Sequence, residues 1–231
     1  MPVFLDELIE NFYEPVGSDY RGSYARGQFF WTHIGYARED LQLWRPTDLD
    51  PSQPTVSSFR TEPARQDAFA RRAPLYSPSL ETYEEFVVVK AKKRPVILLS
   101  PAPPDPGLRN QRRGGRIYRP LCIVAPVYSL VNRQTGELKY PQEFVDRVRM
   151  LAYPEFLFLP EAPGILRYPS YARIGELQAI YQPHLRPENL RLCENIRCIL
   201  EGQVSYLVSG TCGGDLQMYR EQLLHQENLP E

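Results

Sequence analysis

Arg94 stands at the junction between the cationic cluster Lys92-Lys93-Arg94 and the apolar run Pro95-Val96-Ile97-Leu98-Leu99. Val96 to Leu99 are apolar without alternation, the pattern of a short strand buried on both faces. Pro95 suits the first position of such a strand, where no ladder donor is required. A strand anchored this way holds the Arg94 guanidinium outward at the mouth of a rigid element, a good geometry for gripping a phosphate. An arginine that merely solvates the strand end satisfies the same pattern.

The charge around Arg94 is uneven. The chain carries a formal net charge of −1, yet between Lys90 and Arg119 nine lysines and arginines face the single acid Asp105. Such asymmetry fits a polyanion surface, nucleic acid first, with Lys92, Lys93, Arg112, Arg113 and Arg116 as its contacts. A solvated hairpin tip that keeps strand edges apart is the competing reading. His33 ends the first expected strand and is the one histidine expected near the site; it reads as a packed or surface residue before a general base. Cys122, Cys193, Cys198 and Cys212 form no C-x-x-C pair and lie near no histidine at ligand spacing, so reduced packing residues are expected and no metal or cofactor. Gly210-Thr211-Cys212-Gly213-Gly214 lacks the lysine of a phosphate loop and reads as a helix stop.

The elements that must position these residues follow from periodicity. Leu5, Leu8, Ile9 and Phe12 predict a short amphipathic helix over 5–12, and Gly17 to Gly27 a loop. Gln28 to Ile34 is rich in β-formers and predicts the first strand. Gly35 to Glu85 is punctuated by proline yet carries Tyr36, Trp44, Phe59, Phe69, Tyr76 and Tyr83, which predicts an ordered insertion with short elements such as Leu41 to Trp44. Phe86 to Val89 and Val96 to Leu99 form one long strand or a bent pair, and Ile117 to Val127 the next, joined through the stiff Pro101–Gly107 stretch and the basic tip Arg109–Arg116. Pro141 to Leu151 predicts a helix, Phe156 to Leu159 a strand, and Tyr171 to Ile180 another. Pro187 to Val208 predicts a long helix with an apolar stripe of Leu192, Ile196, Ile199, Leu200, Val204 and Leu207.

With 231 residues, 42% of them hydrophobic, the chain can bury a sizeable core. The expected fold is α+β: a small, mostly antiparallel sheet or barrel with a closing helix. A single domain is expected, with its core over about 26–34 and 86–209, an insertion over 35–85 and a tail over 210–231. No run approaches the roughly 18 apolar residues of a membrane span. Met1 to Tyr13 carries Asp6, Glu7 and Glu10 where a signal peptide is basic and then apolar, so a cytoplasmic protein is expected.

Several segments together resemble the MazF/PemK family, the toxin ribonucleases of toxin–antitoxin modules. Arg26-Gly27-Gln28-Phe29-Phe30-Trp31 is similar to the family's opening R-G-D-hydrophobic strand, with Gln28 in place of the acid. Lys93-Arg94-Pro95-Val96-Ile97-Leu98-Leu99-Ser100 resembles its R-P-hydrophobic-V-x-S strand. Val124-Ala125-Pro126-Val127-Tyr128-Ser129 resembles its V-A-P-hydrophobic-T-S strand. Phe158-Leu159-Pro160-Glu161, Tyr171-Ala172-Arg173-Ile174-Gly175-Glu176-Leu177-Gln178 and the Leu-rich stretch from Leu192 to Leu200 follow in the family's order. The likeness covers about half of the chain; the excess lies in 35–85, the basic tip and 130–155.

The resemblance implies an SH3-like barrel that forms a homodimer, is held by an antitoxin protein, and cleaves single-stranded RNA without metal. It implies that Arg94 is the catalytic arginine. Its usual threonine partner is replaced by Tyr128, which can donate a hydrogen bond; Ser129 supplies the hydroxyl instead if the strand end is bulged. The family's first loop lies over the RNA groove, so the insertion here extends, reshapes or blocks it. Two non-catalytic readings stay open beside the ribonuclease: a barrel that binds nucleic acid through its cationic residues, and a module that binds a protein partner.

Overall fold

Phe29 and Phe30 are neighbours in one strand and both are fully buried, in different apolar clusters. Successive strand residues face opposite ways, so the sheet that holds them is covered on both faces. The computed structural model describes residues 3–36, 42–48, 58–63, 87–107 and 118–225. They divide into two compact units, Met1–Ile34 with Lys93–Glu231, and Gly35–Lys92.

In the larger unit α1 (Leu5–Leu8) leads to β1 (Tyr13–Glu14) and β2 (Gln28–Gly35). The smaller unit contains β3 (Gln42–Asp48), β4 (Ser58–Pro63) and β5 (Val87–Val88), an antiparallel sheet in the order β4-β3-β5. The chain then enters β6 (Ala91–Ser100), β7 (Leu121–Ser129) and α2 (Gln142–Arg149). After these come β8 (Phe156–Leu159), β9 (Ser170–Arg173), a 3-10 turn over Ile174–Glu176 and β10 (Gln178–Tyr181). The last elements are β11 (Arg186–Leu192), α3 (Glu194–Ser209) and α4 (Gly214–Leu224). The larger unit is α+β. Its sheet runs β1-β11-β2-β6-β7-β9-β8, with β10 also on β7, and curls into a half-barrel with helices near the C-terminus.

Three clusters hold this unit together. On one face Phe29, Ile97, Val127 and Leu159 meet Leu5 of α1, Ile196, Ile199 and Leu200 of α3, and Leu216 of α4. On the other, Phe30, Ile34, Val96, Leu98, Cys122 and Val124 pack with Leu185. A third cluster sets Val145 and Val148 of α2 on Leu130, Phe158 and Tyr171. Each fully buried large apolar side chain stabilises the fold by roughly 1.5–3 kcal/mol. The two C-terminal helices cross closely at Gly202, where a Cβ would stand 2.6 Å from the Leu216 Cβ. Gly210, at φ 73°, ends α3 in the left-handed conformation as the helix-stop reading expects.

Four expectations are corrected. The first helix spans only Leu5–Leu8, while Ile9 and Phe12 reach the core from the non-helical chain that follows. Pro95 lies inside β6, directly before Val96, the first residue of the β6–β7 pairing. Tyr171–Ile180 is two strands joined by a turn. The three-residue spacing of Ile174, Leu177 and Ile180 does not match the two-residue period of a strand. Pro187–Leu192 is strand, pairing with β2 and β1, and the helix begins only at Glu194. Leu192 is thus the last strand residue, although it fits the helical stripe that continues at Ile196. Of the two alternatives for 86–99 the single long strand is excluded, since β5 and β6 are separate strands in different sheets. The 210–231 tail contains α4, whose Leu216 and Leu223 are core residues. Most of the 35–85 insertion and the basic tip lie outside the described residues.

Candidate functional site

Antiparallel register brings Arg94 level with Tyr128. β6 and β7 pair Val96 with Pro126, Ile97 with Ala125 and Leu98 with Val124, and the same register continued by two residues sets Arg94 opposite Tyr128. The guanidinium carbon lies 4.5 Å from the Tyr128 ring centroid. Tyr128 pairs in turn with Tyr171 of β9, and Tyr171 with Phe158 of β8. Residues so paired share a face, which makes a row of an arginine and three rings across four strands. The Tyr128 and Tyr171 rings stack with centroids 5.7 Å apart.

The 3-10 turn adds a carboxylate to this row. β9 pairs with Val127–Ser129 of β7 and β10 with Leu121–Val124, so the turn spans the part of β7, Ala125 and Pro126, between the two pairings. The Ile174 amide closes the corner by donating to the Glu155 carbonyl at 2.8 Å. Glu176 ends the turn and accepts the Tyr128 hydroxyl at 2.5 Å on Oε2. Its other oxygen receives Arg173 Nη1 at 3.1 Å. Arg173 itself lies over the Phe156 ring, its register partner on β8. Beneath the row the Tyr171 and Tyr140 hydroxyls are 2.9 Å apart.

Burial, then the hydrogen bond to Glu176, pushes the Tyr128 phenol up to about 12, while the charges of Arg94 and Arg173 act in the opposite direction. Burial followed by the Tyr140 contact also raises Tyr171. Tyr128 therefore carries its proton at neutral pH and is a hydrogen-bond donor there. The cluster combines a cation able to neutralise phosphate charge, a protonated phenol, and a carboxylate able to accept that phenol's proton.

Of the residues singled out in the sequence, Arg94 and Tyr128 are together. Ser129 is on the opposite face of β7 and paired with Ser170. Its hydroxyl donates to the Val131 carbonyl at 2.7 Å and accepts the Val131 amide at 3.1 Å. The β7–β9 pairing runs through Val127, Tyr128 and Ser129 without a register shift, so no bulge turns Ser129 toward Arg94. His33 is exposed between buried Thr32 and Ile34. It shares strand parity with Phe29, which packs with Ile97, whereas Arg94 shares parity with Val96; the two residues thus belong to opposite faces. Lys92 and Lys93 are exposed in β6. Arg112, Arg113 and Arg116 lie outside the described residues.

Sequence reasoning gave no role to Arg173, Glu176, Tyr171 or Tyr140. The signal for the first two was an Arg-x-x-Glu spacing around Gly175, which suits a helical turn and sets the ion pair on one side of it. No family model matches this sequence, and no curated protein resembles it closely enough to count as a relative.

Proposed function

We propose that this chain is a MazF/PemK-like endoribonuclease that cuts single-stranded RNA without metal, its larger unit an SH3-like barrel and Arg94 its phosphate-neutralising residue. One observation carries the reading: Arg94 and Tyr128, which the resemblance pairs as arginine and hydroxyl partner, are cross-strand neighbours, the guanidinium carbon 4.5 Å from the centroid of the tyrosine ring. The supporting chemistry is direct. Attack of a ribose 2′-hydroxyl on the adjacent phosphorus builds charge on the phosphorane oxygens, and a fixed guanidinium offsets that charge where it develops. The products are a 2′,3′-cyclic phosphate and a 5′-hydroxyl. The same reading carries a cytoplasmic homodimer held by an antitoxin protein, with Lys92 and Lys93 as further phosphate contacts. Among the described residues no helix is long and apolar enough to cross a membrane.

A second reading, a barrel that binds RNA without cutting it, draws on the hydrogen bond that engages the Tyr128 hydroxyl with Glu176. Incubating the full chain with mixed single-stranded RNA in EDTA separates the two. Cyclic-phosphate ends from wild type and none from Arg94→Ala support cleavage. Intact RNA, with binding that weakens at a log-log slope of roughly −0.7 per phosphate contacted as salt rises, replaces it with the binding module.

A further inference from the structure

We infer that Tyr128 and Glu176 form a proton relay for this reaction, in which Tyr128 takes the proton of the attacking 2′-hydroxyl as its own passes to Glu176. The inference rests on the ribonuclease reading and adds to it the residues that activate the nucleophile. Its basis is the 2.5 Å hydrogen bond from Tyr128 to Glu176 Oε2, beside a guanidinium 4.5 Å from the same ring.

The 2′-oxygen to phosphorus bond forms and the phosphorus to 5′-oxygen bond breaks. One proton moves from the 2′-hydroxyl to the Tyr128 oxygen, and one from Tyr128 to the Glu176 carboxylate. The leaving 5′-oxygen takes a proton from water, and Glu176 returns its proton to solvent. Arg94 neutralises the phosphorane and favours the transient negative charge on the phenol. Arg173, 3.1 Å from Glu176 Oε1, fixes the carboxylate so that Oε2 faces the hydroxyl. Tyr128 thus touches the substrate, whereas Glu176 acts through it. Among the groups that face Glu176 are Tyr128 from β7 and Arg173 from β9, with Arg94 from β6 beyond the phenol ring and Tyr171 stacked behind it.

The arrangement also accounts for a tyrosine where the resemblance expects a threonine. A longer side chain reaches the carboxylate of the turn while its ring still carries the arginine. Ser129, facing the other way and bonded to its own turn, cannot take this part.

The experiment measures single-turnover cleavage of a defined single-stranded RNA by the full chain, across pH, for wild type, Tyr128→Phe and Glu176→Gln. Both substitutions keep the side-chain shape. Each is expected to slow cleavage by roughly 10²-fold or more without weakening RNA binding. The double variant is expected to be no slower than the worse single one, as for residues acting as a unit. Glu176→Gln is expected to remove the acid limb of the pH–rate profile, which a merely structural role would leave in place. Wild-type rates in either variant, or an acid limb retained in Glu176→Gln, overturn the relay while wild-type cleavage preserves the ribonuclease reading. Absence of cleavage by wild type overturns both. If a variant fails to fold, rates of wild type in mixed light and heavy water decide: a bowed dependence from two protons in flight supports the relay, and a linear one overturns it.

Discussion

Arg149 and Arg94 each lie over an aromatic ring in company with a carboxylate, and the two clusters are built for different ends. Arg149, at the end of α2, sits 3.8 Å from the Phe4 ring centroid and grips Asp6 of α1 with both arms, Nε to Oδ1 at 3.0 Å and Nη2 to Oδ2 at 2.7 Å. Arg94 lies over Tyr128, whose hydroxyl passes on to Glu176 and then Arg173. Burial does not separate them: the Arg149 and Asp6 side chains are 22% and 20% exposed, and those of Arg173 and Glu176 22% and 15%. What differs is the ring. Phe4 offers only a face, so its cluster is a clasp between two helices. Tyr128 offers a face to a cation and a proton to a carboxylate, which turns similar parts into a donor–acceptor chain.

The comparison breaks most easily at the arginines themselves. Arg94→Ala is expected to lower RNA cleavage by roughly 10²–10³-fold, the usual loss when one stabiliser of developing charge is removed. Its stability should change by about 2 kcal/mol or less, the upper worth of a partly buried cation–π contact. Arg149→Ala should do the reverse. Losing charge-assisted bonds to Asp6 costs about 1.5–3 kcal/mol in urea unfolding, with cleavage per folded molecule unchanged. Equal stability losses in both variants, or a cleavage defect in Arg149→Ala, would erase the distinction.

A smaller effect sharpens the structural side. Alanine in a helix interior gains up to about 1 kcal/mol over glycine. At Gly202 its Cβ would meet the Leu216 Cβ at 2.6 Å, and overpacking costs about 1–3 kcal/mol. Gly202→Ala is therefore expected to lose about 1 kcal/mol net in urea unfolding, with cleavage per folded molecule retained. A stabilised variant would mean that α4 shifts freely on α3.

How much of this was legible in the sequence depended on whether local pattern or long-range pairing decided the element. The strands at 28–34 and 156–159 and the stop at Gly210 are written in residue type and nearby spacing, and they appear as expected. Pro187–Leu192 was misread because its apolar residues run into the phase of α3, while its strand conformation comes from pairing with β2 and β1, which are distant in sequence. The same limit governed the site. Arg94 stood out through its own neighbours, and the resemblance directed attention to Tyr128. Glu176 gained a role only because the turn after β9 folds it back to Tyr128, 48 residues away along the chain. Its sole local sign was the Arg-x-x-Glu spacing around a glycine.

The smallest expected effect tests the Tyr128 proton directly. Burial pushes this phenol from its ordinary 10.0 up to about 12 in the folded chain. The folded state therefore holds a proton that the unfolded state releases, and stability must fall as pH rises between those values. The contribution is fully present below about pH 10 and is lost progressively as pH climbs through about 12. Tyr13 and Tyr171, also raised by burial, add to the same slope. Urea midpoints measured at about pH 8, 10 and 11 should decline in wild type and decline less steeply in Tyr128→Phe. Arg149→Ala, with Phe4 rather than a phenol under its guanidinium, should start lower and keep the wild-type slope. If Tyr128→Phe keeps the full slope instead, the hydroxyl is not held in its protonated form by the fold, and the ring of Tyr128 is doing no more than that of Phe4.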